Sequence, residues 1–220
     1  MTTNPKAHTI LCYGDSNTWG QKPDKSGRYP VDVRWTGRLQ KQLGDDFYVI
    51  EEGLSSRTTD LEYSQKPGRN GKTYLIPCLV SHNPIELVVL MLGTNDLKIE
   101  FHRSPQDIAH AIKGLVANVT QFAHNKDRQP PKILLVSPIL INDKAPTFDE
   151  LYGGVYYDAD SAAKSTQLAN TLKAVADESD VRFLDASAVA APGEDGIHFT
   201  EDAHGTLANT IESLIHDIIQ

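Results

Sequence analysis

Residues 85–92 read Ile-Glu-Leu-Val-Val-Leu-Met-Leu and run directly into Gly93-Thr94-Asn95-Asp96. From Leu87 onward the run is continuously apolar, with no polar residue at alternate positions. A strand of this kind must be covered on both faces, which is the condition of a parallel sheet sandwiched between helices. Residues 132–138 repeat the pattern as Lys-Ile-Leu-Leu-Val-Ser-Pro, and shorter apolar runs stand at 9–13, 47–50 and 181–184. Between them lie helical periodicities. Ile108, Ile112, Leu115, Val119 and Phe122 share one face, preceded by Ser104 as a cap and Pro105 in the first turn. Leu207, Ile211, Leu214, Ile215 and Ile218 mark a terminal helix. Strands and helices that alternate in this way, over segments too long for hairpins, predict an α/β protein. The architecture is a three-layer α/β/α sandwich around a doubly wound parallel five-stranded sheet. No break in composition divides the chain, so one domain over 1–220 is expected.

The 220 residues are 40% hydrophobic and 23% charged, enough for a substantial core. Twenty-one Lys and Arg against 29 Asp and Glu leave a net charge of -8, which argues against nucleic acid or an anionic membrane as partner. The first ten residues hold no apolar signal-peptide core, and no run approaches the length of a spanning helix, so a cytoplasmic protein is expected. Cys12 and Cys78 sit in apolar runs as small hydrophobes rather than a disulfide or metal pair. No metal and no cofactor are predicted.

Ligands of open parallel sheets bind beyond the carboxyl ends of the strands. The first strand is followed by Gly14-Asp15-Ser16-Asn17-Thr18-Trp19-Gly20, the second by Gly53-Leu54-Ser55-Ser56-Arg57-Thr58 and the third by Gly93-Thr94-Asn95-Asp96. The fifth leads to Asp195-Gly196-Ile197-His198-Phe199-Thr200. Together these supply the parts for acyl transfer through a serine ester. Ser16 would be the nucleophile, His198 its base, and Asp195, three residues earlier, the group that holds the imidazole in one tautomer. The oxyanion would be met by the backbone N–H groups of Ser16 and Ser56 and by the amide of Asn95. Gly14 and Gly93 suit the tight exits from the sheet.

Several signals are decoys. Gly68-Arg69-Asn70-Gly71-Lys72-Thr73 ends like a phosphate loop, but Lys66 stands where the first glycine is required, so it reads as an exposed basic turn. No G-x-G-x-x-G or G-x-S-x-G string occurs. His198 and His204 are not at i, i+4 and give no zinc pair. His8, His82, His102, His110, His124, His204 and His216 read as structural or solvent-facing. Trp35 reads as core, and the Asn118-Val119-Thr120 glycosylation string falls on a predicted helix.

Taken together, GDSNTWG from Gly14, DVRWTG from Asp32, EEGLSSRTT from Glu51, MLGTNDLK from Met91 and DGIHFT from Asp195 resemble the SGNH, or GDSL, hydrolases. The resemblance runs from about residue 10 to 218 and is strongest toward the bacterial arylesterase, acyltransferase and perhydrolase branch. It implies a flavodoxin-like fold, Ser16, Asp195 and His198 as catalytic residues, and Ser16, Ser56 and Asn95 as oxyanion donors. Many members carry glycine and an acidic residue where this chain has Ser56 and Arg57, which narrows the conformations open to that turn.

The resemblance further implies short acyl esters, transfer of the acyl group to alcohols or peroxide, and homo-oligomers, an octamer among them. The small-molecule ester and alcohol substrates would contact Asp15, Trp19, Lys98, Phe148, Tyr152 and Ile197. Two long connections, 20–31 and 139–157, suit the rim of a site, and Phe148, Leu151 and Tyr152 suggest a narrow, apolar mouth. Rival readings are a carbohydrate O-deacetylase using the same residues and a non-catalytic flavodoxin-like binding module. Against the latter, a binding module has no reason to keep Ser16, Asp195 and His198 together.

Overall fold

The computed structural model describes residues 4–122 and 129–219; His124 lies outside them. The elements in chain order are β1 (His8–Gly14), α1 (Ser16–Trp19), α2 (Trp35–Leu43), β2 (Phe47–Gly53), α3 (Gly71–His82) and β3 (Leu87–Met91). They continue with α4 (Pro105–Thr120), β4 (Lys132–Ser137), α5 (Phe148–Leu151), α6 (Ala159–Glu178), β5 (Arg182–Asp185) and α7 (Glu201–Ile219). Among the described residues the strands form one parallel sheet in the order β2-β1-β3-β4-β5. Each strand falls on a run singled out in the sequence. The order reverses between β1 and β3, so the loops leaving these neighbours diverge and open a crevice at their carboxyl ends.

Both faces of the sheet are packed. Ile10 and Cys12 of β1, with Leu87, Val89 and Met91 of β3, meet Trp35 and Leu39 of α2 and Leu207, Ile211 and Ile215 of α7. Leu11, Tyr13, Val88 and Leu90 point the other way, onto Leu75 and Leu79 of α3, Ile108, Ile112 and Leu115 of α4, and Leu168 and Leu172 of α6. The period-2 alternation thus feeds two cores, which is why the strands show no polar face. Helix α4 starts as predicted: the Ser104 hydroxyl accepts from the Asp107 N–H at 3.1 Å and the Ser104 N–H donates to Asp107 at 2.9 Å.

Besides the short turns α1 and α5, the helices α2, α3 and α6 were not delimited in the sequence. Helix α6 buries Ser161, Ala162 and Ser165 along with Leu168, Leu172 and Val175, so its apolar stripe is thinned by small residues. Helix α3 contains Pro77, which reads as a breaker. The supposed basic turn at 68–73 is corrected here. Its second half is the start of α3, where the Asn70 side chain accepts from the Thr73 N–H at 3.2 Å. Among the described residues no helix is long and apolar enough to cross a membrane.

Candidate active site

Ser16 opens α1 immediately beyond β1. Asp15 caps that turn by accepting the Asn17 N–H at 3.0 Å. Gly14 is required beneath it, since a Cβ there would lie 2.1 Å from Thr18 Oγ1 and 2.8 Å from the Met91 carbonyl. His198 Nε2 lies 2.9 Å from Ser16 Oγ, and its Nδ1 lies 2.6 Å from Asp195 Oδ2. The other Asp195 oxygen accepts the N–H groups of Ile197 and His198, each at 2.9 Å. One carboxylate therefore shapes the turn and aims the ring. Burial raises the affinity of Asp195 for a proton, but the imidazole and the two amide donors outweigh it and hold the group below its ordinary pKa. Tyr152 Oη donates to Asp195 at 3.2 Å. Burial and the adjacent carboxylate push that phenol up, so it stays a donor.

Asn17 does work that sequence reading missed. Its amide Nδ2 donates to the Ile197 carbonyl at 3.1 Å and its Oδ1 accepts from the Phe199 N–H at 3.0 Å. It clamps the His198 turn to the Ser16 turn from both sides. The pair is separated by about 180 positions, and no local pattern announces it.

Ser56 adopts φ 66°, the left-handed region where glycine is favoured, so the chain accepts a serine in the conformation that the resemblance assigned to glycine. Among the described residues the N–H groups of Ser16 and Ser56 donate to no protein acceptor. Asn95 Nδ2 donates to the Arg57 carbonyl at 3.1 Å and, more weakly, to Asp15 at 3.4 Å. The second of these is long enough to be exchanged for a better acceptor. Gly93, at φ 129°, lets β3 turn sharply into the Asn95 segment.

These groups border a cavity of about 230 Å³. Of the expected site residues, Ser16, Ser56, Asn95, Lys98, Tyr152, Ile197 and His198 line it. Asp195 lies behind His198. Asp15, Trp19 and Phe148 are not among the lining residues, contrary to expectation. Asp15 is buried beneath Ser16, where desolvation raises its pKa, and Trp19 packs under the Arg28 guanidinium, 5.3 Å from its ring. Phe148 is core, 1% exposed, with its ring 6.3 Å from that of Tyr152.

Both long connections supply walls, through Gln21 and Lys25 and through Tyr152, Tyr156 and Tyr157. A third, between β2 and α3, adds Ser55, Ser56 and Lys66. The mouth is accordingly not apolar. Lysines, hydroxyls and phenols dominate it, and Ile197 is its aliphatic contribution.

Metal-type ligands converge once among the described residues, at Glu52, Cys78 and His82, whose ligand atoms lie within 4.8 Å of one another. There His82 Nε2 is 2.9 Å from Glu52, Tyr74 Oη is 3.4 Å from the same oxygen, and burial pushes the Cys78 thiol up to about 12. The cluster is satisfied as a hydrogen-bond network. A larger cavity of about 360 Å³ lies at the amino ends of the strands, around His8, Glu86 and Lys132, with no nucleophile and base in line.

A hydroxyl hydrogen-bonded to an imidazole, itself oriented by a buried carboxylate and facing free N–H groups, is an arrangement suited to serine-ester chemistry. The GDSL-like lipase/acylhydrolase family model matches residues 12–205, and the chain belongs to that family of hydrolases. The native aryl esterase of M. smegmatis is 42% identical, with a TM-score of 0.87 over 96% of this chain and 100% of that one. Est24, a carbohydrate acetylesterase from Sinorhizobium meliloti, is 39% identical with a TM-score of 0.85 over 96% and 99%. A carbohydrate acetylesterase family member from the same organism is 34% identical with a TM-score of 0.88 over 96% and 99%. A comparison with curated protein sequences returned no match.

Proposed function

We propose that the protein is a serine esterase that cleaves short acyl esters, acetyl esters first among them, through an acyl-enzyme on Ser16. The observation that carries this reading is the 2.9 Å approach of Ser16 Oγ to His198 Nε2, with Asp195 on the far side of the ring. Ser16 Oγ attacks the ester carbonyl carbon as His198 Nε2 takes its proton, and the carbonyl oxygen becomes an oxyanion held by Ser16 N–H, Ser56 N–H and Asn95. The tetrahedral intermediate collapses, His198 returns the proton to the departing alkoxide, and an alcohol leaves behind an acyl ester of Ser16. Water then attacks with His198 as base, and the acid is released. An alcohol or peroxide in place of that water takes the acyl group, so hydrolysis and transfer share one intermediate.

The similarity to carbohydrate acetylesterases at 34 and 39% identity favours a second reading, O-deacetylation of sugars, with the same residues in the same roles. An aryl acetate and an acetylated xylo-oligosaccharide, assayed side by side, separate the two. Labelling by a fluorophosphonate probe in the native chain but not in Ser16→Ala tests the shared premise; labelling that survives in the variant defeats it. Asn95→Ala is expected to lower kcat by roughly 10² to 10³-fold. A loss confined to KM would make Asn95 a ground-state contact.

A further inference from the structure

Three lysines from three separate connections border the cavity: Lys25 from the loop after α1, Lys66 from the loop before α3, and Lys98 just beyond Asn95. No carboxylate is among the lining residues. Lys98 is 5% exposed, and among the described residues its Nζ has neither a hydrogen bond nor an ion pair. It rests instead over the Tyr63 ring at 4.5 Å, with Tyr156 at 5.8 Å. Lys25 Nζ lies 4.1 Å from the Tyr152 ring centre, and Lys66 Nζ donates to Ser56 Oγ at 3.1 Å. Elsewhere lysines find carboxylates: Lys113 pairs with Glu178, Lys164 with Asp160 and Lys173 with Asp177.

A buried ammonium without an anion is costly, and neighbouring ammoniums add mutual repulsion. Of the carboxylates near Lys98, Glu100 is solvent-exposed and the others are committed. Asp195 holds His198, Asp96 holds Thr59 and Arg103, and Asp15 lies beneath α1. A substrate that brings its own negative charge would relieve Lys98 directly and would also meet the solvent-exposed Lys25 and Lys66 at the mouth. The net charge of -8 makes this a local attraction of the mouth rather than of the whole surface.

The geometry points to an anion subsite in which Lys98, flanked by Lys25 and Lys66, receives a carboxylate borne by the ester substrate near its scissile bond. The inference rests on the esterase reading but extends it to a substrate class: acidic esters, such as acetyl esters of hydroxy acids or uronic sugars. It also has a pH signature. Burial and then Lys66 pull Lys98 down to about 8, with Glu100, Asp15 and Asp96 opposing, so the ammonium is present below that value and lost above it.

The test compares 3-acetoxybenzoate with the neutral 3-acetoxybenzamide, whose leaving groups are alike in shape. The native chain is expected to favour the carboxylate in kcat/KM by about tenfold or more at low ionic strength, the scale of one charge-assisted hydrogen bond. That ratio should fall toward one in Lys98→Met, fall partly in Lys25→Gln and Lys66→Gln, and decline as pH rises from 7 to 9. Calorimetric binding of benzoate against benzamide, in the native chain and in Lys98→Met, reads the subsite without catalysis. A native ratio at or below one, a ratio unchanged in all three variants, or equal binding of benzoate and benzamide would overturn the inference. If neither ester turns over and Ser16 resists the fluorophosphonate, the esterase reading fails. A Lys98-dependent preference for benzoate would still establish the subsite.

Discussion

Two buried histidines stand six positions apart on adjoining segments, and the chain treats them in opposite ways. His198, in the turn before α7, has Asp195 on one nitrogen and the Ser16 hydroxyl on the other. His204, in the first turns of α7, is 0% exposed and accepts the Trp35 N–H at the start of α2 at 3.2 Å, while its Nε2 has no partner. Phe199 and Tyr29 pack their rings against it, each 5.3 Å away. Burial, reinforced by Arg38 and Arg34, pushes His204 down to about 3. Burial beside two guanidinium groups therefore keeps a histidine a neutral structural acceptor, whereas a carboxylate behind the ring and a hydroxyl before it suit one to proton transfer.

The strongest way to break this contrast is to substitute His198 or Ser16, the pair proposed to pass the proton. His198→Ala and Ser16→Ala should each lower ester turnover by roughly 10⁴ to 10⁶-fold with the fold intact, and the double variant should be no slower than the worse single one. Additive losses, seen in steady-state rates on an aryl acetate, would mean that the two residues do not act as a unit. Asn17→Ala leaves the line of residues present but unclamps the His198 turn. Turnover should drop by about 10 to 100-fold, mostly in kcat, with an unchanged near-UV circular dichroism spectrum, because small displacements of a base are costly. Equal rates in the variant would show that Asp195 alone holds the turn.

The smallest effect belongs to His204 and concerns stability rather than rate. Its folded pKa lies below the unfolded value of 6.5, so the unfolded chain binds the proton more readily. Its contribution is intact above pH 6.5 and is lost progressively as pH falls toward 3. Between pH 6.5 and 4.5 the native chain should lose about 2–3 kcal/mol from this group, at ~1.4 kcal/mol per pH unit. His204→Gln, which cannot protonate, should show a shallower loss in denaturant titrations, although it starts less stable at pH 7. Parallel acid-stability curves for the two chains would remove His204 from the account.

Much of this is legible in the sequence. The strands at β3 and β4 announce themselves through unbroken apolar runs, and α4 through Ser104, Pro105 and a regular stripe. Ser16, Asn95, Asp195 and His198 stand out because each lies in a short string directly after a strand, where an open sheet presents its ligands. Helix α6 was harder, since Ser161, Ser165 and Ala162 occupy buried positions that read as polar or neutral. The clamp by Asn17 was invisible, because its partners lie at the other end of the chain. Phe148 was expected at the mouth and is core, since α5 turns that ring inward and presents Tyr152 to the cavity.

Composition and local pattern by themselves determined the layered sheet, its parallel sense and the chemical types at its carboxyl edge. These depend on periodicity and on residues close in sequence. The character of the mouth was decided by tertiary structure alone. Lys98 stood in a string that already pointed to the site, but Lys25 and Lys66 come from loops whose sequences look like ordinary exposed turns, and only folding brings them around the same cavity. Charge is a property of single residues, but the field at a site belongs to residues that meet only after folding.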